Sequence, residues 1–159
     1  MENVNRIGLD TKKSENLANK LNTLLANYSI FTQNTRGYHW NIKGEKFFEL
    51  HEKFEELYND LSTKVDEVAE RILTLEHAPK HNYSDYKKLS TIAEAIIETS
   101  NGIEGVKDVL NSFKIIITLQ RELLEIANDT NDEGTASLMS EYIASQEKLV
   151  WMYSSFLKN

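Results

Sequence analysis

Apolar residues recur at helical spacing along most of the chain. From Ser14, an expected N-cap, they fall at Leu17, Leu21, Leu24, Leu25, Tyr28 and Phe31, one face of a helix that runs to about Trp40. The segment Asn41-Ile42-Lys43-Gly44 ends it, with Gly44 suited to a left-handed cap. A second helix is predicted over 45–75, with Leu50, Phe54, Leu57, Leu61, Val65, Val68, Ile72 and Leu75 facing a core. Pro79 stops whatever continues. The stretch 77–102 is less regular and is expected to hold one short helix near 83–90. Further long helices are predicted over 103–128 and 133–156, parted by the polar turn at 128–132. Residues 1–13 lack periodicity and read as a short flexible arm, leaving 14–159 as one domain. Four long helices, two short connections and one long one predict an all-α four-helix bundle, with a short extra helix in its crossover.

Composition narrows the possible chemistry. The chain has 159 residues, 40% of them hydrophobic and 27% charged, with one proline and six glycines, which disfavours an all-β fold. There is no cysteine, so disulfides and thiolate metal sites are excluded and any metal must be held by histidine and carboxylate. Eighteen Lys and Arg against 25 Asp and Glu give a formal charge of −7, which opposes nonspecific attraction to nucleic acid or anionic membrane. No apolar run is long enough to span a bilayer and no leader is recognisable, so a cytoplasmic location is expected. The sequons at Asn27, Asn82 and Asn128 then carry no weight.

Bundles of this kind often hold two metals through Glu-x-x-His on two helices, whose three-residue step puts both side chains on one face. This sequence has no Glu-x-x-His. His77 and His81 are spaced as a helical pair, but Pro79 lies between them, and they read as a solvated loop. His39 and His51 flank the Gly44 turn, so a short connection can bring their imidazoles together. The second helix carries an offset stripe of His51, Glu55, Tyr58, Ser62, Asp66 and Glu70. Fifteen residues part His51 from Asp66, about 22 Å of helix rise, too far for one metal. If two copies pack antiparallel about a two-fold axis near Asn59, the His51 end of one helix meets the Asp66 end of its mate. Each of two equivalent sites then takes His39, His51 and Glu55 from one subunit and Asp66 and Glu70 from the other, a set that suits iron(II). The same carboxylates also read as an ordinary solvated face, with Glu70 paired to a neighbouring base.

The run Arg36-Gly37-Tyr38-His39-Trp40-Asn41-Ile42-Lys43-Gly44, then Phe47-Phe48, Leu50-His51, Phe54-Glu55 and Asp66-Glu67-x-Ala69-Glu70-Arg71, closely resembles the signature of the Dps miniferritins. Leu149-Val150-Trp151-Met152 also resembles their ending. The resemblance implies a ferritin-like bundle assembled into a hollow dodecamer that oxidises iron(II), preferably with hydrogen peroxide, and stores ferric mineral. It implies His39 and His51 as ligands from one subunit and Asp66 and Glu70 from its partner. Glu55 stands where many relatives carry aspartate. Trp40 resembles a family tryptophan that intercepts oxidising equivalents, and it reads equally as an aromatic packed at a helix end. Asp129, Asp132, Glu133 and Glu141 are candidates for an acidic ion pore, although relatives place acids where this chain has Ser137; a solvated helix start is the other reading.

Direct DNA binding is expected to be weak, because the 1–13 arm carries Arg6, Lys12 and Lys13 against Glu2 and Asp10 instead of a lysine-rich extension. A nucleoid-associated role therefore stays secondary. Two rivals remain: a noncatalytic nucleoid or partner-binding scaffold, and a small di-iron oxidase that forms no cage.

Overall fold

The computed structural model describes residues 3–96 and 100–158. The described residues form five helices: α1 (Thr11–Asn41), α2 (Phe47–Thr74), α3 (Tyr83–Leu89), α4 (Gly102–Thr130) and α5 (Glu133–Phe156). The four long ones make an all-α bundle, and α3 lies in the long crossover between α2 and α4, as the periodicity predicts. α1 packs along α2 and α4, and α4 along α5. Their stripes meet in a core that includes Leu21, Phe31, Phe54, Leu61, Ile72, Phe113, Ile116 and Met139. Each such side chain contributes roughly 1.5–3 kcal/mol by leaving water. Phe31 and Phe113 lock α1 to α4 edge to face, with centroids 5.1 Å apart.

The centre of the bundle is polar yet neutral. Gln120 Nε2 donates to the Tyr28 hydroxyl and Gln146 Nε2 to Gln120 Oε1, each at 2.5 Å, while the Tyr28 hydroxyl donates to Gln146 Oε1. All three residues are fully buried, so the position where a bundle can house metals is filled by a closed ring of amides and a phenol.

Three asparagines of α1 do for the crossover what a neighbouring strand would do for an extended segment. Asn22 accepts from Lys80 N and donates to Ala78 O; Asn34 accepts from Ala95 N and donates to Ala93 O. Asn27 Oδ1 accepts from the backbone amides of Thr91 and Ile92. These bonds satisfy a segment that has little secondary structure of its own. They also bury Asn27, so that sequon offers no accessible amide.

The beginning of the chain differs from expectation. α1 starts at Thr11 with Asp10 as its cap, accepting from Lys13 N at 2.8 Å, ahead of the expected Ser14. Residues 3–10 form a closed turn instead of a loose arm. Asn5 Oδ1 accepts from Ile7 N and Leu9 N, Thr11 N donates to Asn3 O, and Arg6 meets Glu76 at 3.1 Å. Side-chain-to-backbone bonds of this kind leave no hydrophobic period to read. α2 ends at Thr74, before Pro79, where Glu76 turns the backbone left-handed at φ +67°.

Candidate metal centre

The short turn between α1 and α2 decides the geometry of the histidines. Ile42 leaves the helix extended, and Gly44 takes φ +105°, a conformation glycine adopts freely, so α2 returns antiparallel against α1. His39 in the last turn of α1 thereby faces His51 in the second turn of α2, their rings stacked with centroids 3.7 Å apart and planes 14° from parallel. His39 Nδ1 lies 2.6 Å from the His51 carbonyl oxygen, and His51 Nδ1 lies 2.7 Å from that of His39. A carbonyl only accepts, so each Nδ1 carries a proton, and Nε2 is the ring nitrogen left to bind a metal. Reciprocal backbone bonds that fix the tautomer and the ring plane are the support a ligating histidine ordinarily has.

The pair is the middle of an aromatic column. Phe47 stacks on His51 at 4.9 Å, the Tyr58 ring meets His39 edge-on at 5.3 Å, and the Arg36 guanidinium lies 5.3 Å from the Tyr58 centroid. Tyr58 is on the stripe that suggests the ligands, but no spacing in the sequence reveals that it and Arg36 close one end of the column. Behind His39, Tyr38 is turned into the core and its hydroxyl donates to Asp108. Burial first, then the Asp108 hydrogen bond and charge, push the Tyr38 phenol far above its usual range.

The carboxylates are placed differently. Glu55, Asp66 and Glu70 are all exposed on α2, and among the described residues none of their side chains has a hydrogen bond or ion pair within the protomer. Arg71, the base beside Glu70, is engaged elsewhere. Among the described residues no three histidine, aspartate or glutamate side chains of one protomer come close enough to hold a metal ion. The protomer therefore carries an ordered imidazole pair at one end of a helix face and two exposed carboxylates about 22 Å along it.

Trp40 is 62% exposed and lines a groove of about 580 Å³ with Arg36, Ser62, Tyr83 and Ile96. His77 and His81 lie outside the helices. Of the candidate pore acids, Asp129, Glu133 and Glu141 are exposed, with Glu141 turned toward a groove between α2 and α5. Asp132, expected in the pore, is instead buried and fully engaged within the protomer. Its side chain is 2% exposed, caps α5 through Thr135 N at 3.0 Å, accepts from the Thr135 hydroxyl and holds Arg71 Nη2 at 2.7 Å. A capping aspartate and a pore aspartate look alike in sequence at a helix start.

Residues 18–159 match the family described as Ferritin, a ferritin-like domain. The chain is 40% identical over 149 residues to the DNA protection during starvation protein of Porphyromonas gingivalis, covering 94% of this chain and 93% of the relative. To DNA protection during starvation protein 2 of Bacillus anthracis it is 36% identical over 138 residues, 86% of this chain and 93% of that one. In three dimensions it matches the crystal structure of the Dps protein from Vibrio cholerae O1, described as a member of a broad superfamily of ferritin-like diiron-carboxylate proteins. The TM-score is 0.95 at 54% identity, covering 99% of this chain and 98% of that one. The family match over most of the chain, the identity to these relatives and the near full-length structural likeness agree, and the chain belongs to the Dps family of ferritin-like proteins.

Proposed function

We propose that this protein is a ferroxidase and iron store that oxidises iron(II), preferably with hydrogen peroxide, inside a dodecameric cage and so protects against oxidative stress. The observation that carries this is the division of donors. Two imidazoles are held with Nε2 free, and His51 of α2 shares one helix face with Asp66 and Glu70, two carboxylates without a partner among the described residues, at a spacing that an antiparallel copy would close.

In the dimer, His39 and His51 present neutral nitrogen donors, and Asp66 and Glu70 of the partner subunit present anionic oxygen. Glu55, one turn beyond His51, reaches toward the same space. Mixed imidazole and carboxylate donors fit iron(II), and the anionic oxygens stabilise the trivalent ion more than the divalent one, which favours loss of an electron. Iron(II) is the substrate. Two iron(II) ions reduce one hydrogen peroxide, with two protons, to two waters and leave two iron(III) ions as cargo. Asp129, Glu133 and Glu141 are exposed anions suited to draw cations toward the interior, as the overall charge of −7 also favours. The same charge weighs against direct DNA binding.

The test is anaerobic iron(II) oxidation started with peroxide, compared with oxidation by air. Peroxide is expected to give the faster reaction. Replacing His39 and His51 by Ala, or Asp66 and Glu70 by Asn and Gln, is expected to abolish the protein-dependent rate. An unchanged rate overturns the assignment and leaves a noncatalytic scaffold as the better reading.

A further inference from the structure

We propose that Tyr58 lies at the two-fold axis of the dimer and is a site of oxidative coupling, where hydrogen peroxide joins two protomers through a carbon–carbon bond between their Tyr58 rings. This rests on the two-fold pairing of α2 put forward above. Tyr58 comes seven residues after His51 and eight before Asp66. A dyad that superposes those two ends therefore crosses α2 within about 1 Å, along its axis, of Tyr58. Packed helices run roughly 8–10 Å apart, so side chains facing each other at such a crossing meet.

The ring is held in place for this reaction. His39 bounds it on one side and the Arg36 guanidinium on another, while its hydroxyl has no hydrogen-bond partner among the described residues. Of the chain's seven tyrosines, Tyr28, Tyr38 and Tyr142 are buried with their hydroxyls engaged, and the Tyr86 hydroxyl donates to Lys80 O. Tyr58 is the one in edge contact with an imidazole of the candidate centre, which puts it within reach of an oxidising equivalent generated there. A guanidinium over the ring disfavours a cationic ring, so electron and proton leave together, the proton to water. Each phenol gives one electron and one proton; together they reduce one hydrogen peroxide to two waters. The rings couple at the carbons beside the hydroxyls, and both phenols are restored.

The assembled protein, given iron(II) and then excess peroxide, is read by dityrosine fluorescence, denaturing electrophoresis and mass spectrometry of the linked peptide. Covalent dimers joined at Tyr58 are expected, lost in Tyr58→Phe and kept in Tyr83→Phe, a change at an exposed tyrosine. No covalent dimer, or dimers that survive Tyr58→Phe, overturns the proposal. The dyad is tested separately by Asn59→Cys, the sole cysteine in that variant, with a short bismaleimide. Thiol-linked dimers without dityrosine defeat the tyrosine proposal alone, whereas failure of the thiol link defeats the shared two-fold site as well.

Discussion

Asn27→Ala is the perturbation whose cost can be worked most completely from the structure. Asn27 Oδ1 accepts from Thr91 N and Ile92 N at 3.1 Å each and from the Ser90 and Thr91 hydroxyls at 3.2 Å each, while Nδ2 donates to Thr23 O at 2.9 Å. The substitution does not lose five full bonds. Thr91 is exposed and its groups turn to water, and Ile92 N keeps a second acceptor in Ser90 Oγ at 3.1 Å. One buried donor left poorly satisfied costs about 1–3 kcal/mol, and the lost bonds in net terms about 1 more, so the crossover weakens by about 2–4 kcal/mol. In the proposed cage, global unfolding would mix folding with association, so the better assay is hydrogen exchange of the peptide spanning residues 88–96. Its protection is expected to fall on the order of 30- to 900-fold, at 1.36 kcal/mol per decade. Asn82→Ala, where the exposed amide makes one 3.4 Å bond to Asp85, serves as the control and is expected to change stability by less than ~0.5 kcal/mol. A drop of less than about twofold for Asn27→Ala refutes the claim that this amide holds the crossover.

Other consequences are quicker to state. Arg71→Leu leaves the Asp132 carboxylate buried and unpaired, so thermal unfolding is expected to reveal a loss of roughly 3–5 kcal/mol; no shift in Tm contradicts a structural role for Asp132. Asp129→Asn with Glu133→Gln is expected to slow iron uptake and leave Tm unchanged, since both acids are exposed. Gly134→Ala places a methyl 2.7 Å from the Arg71 guanidinium nitrogens, and the Arg71–Asp132 pair must shift; Tm is expected to fall. Tyr28, Tyr38, Tyr142 and Tyr153 all have phenols raised above the usual value, burial being the first cause in each. Their folded forms hold protons that the unfolded chain releases near pH 10. Stability is therefore fully present below that pH and falls above it by up to about 1.4 kcal/mol per pH unit per tyrosine, which denaturant titrations at rising pH would measure.

The helices were readable because burial imposes a period: Leu50, Phe54, Leu57 and Leu61 announce a core face whatever they pack against. The meeting of His39 and His51 was readable for a similar reason, since a five-residue turn containing a glycine at φ +105° leaves little choice about what lies opposite. Interactions without a period escaped. The Asn22, Asn27 and Asn34 clamps join residues more than 55 positions apart through single amides, and the turn at residues 3–10 is made of local polar bonds. Asp132 was misplaced because its role depends on Arg71, on α2, with two whole helices between them in the chain, which local sequence does not reveal. The carboxylate half of the candidate site was visible as a stripe on α2, but which molecule it serves is a property of packing between chains.

Mixed assembly measures that directly. Protomers carrying His39→Ala and His51→Ala are unfolded and reassembled with an equal amount of protomers carrying Asp66→Asn and Glu70→Gln. Neither parent is expected to oxidise iron(II) alone. A shared site makes each mixed dimer carry one wholly intact centre and one wholly dead one. With random pairing, half the dimers are mixed, so roughly a quarter of the unmodified activity is expected to return. No recovery from verified mixed assemblies would mean that each chain works alone, contradicting the account.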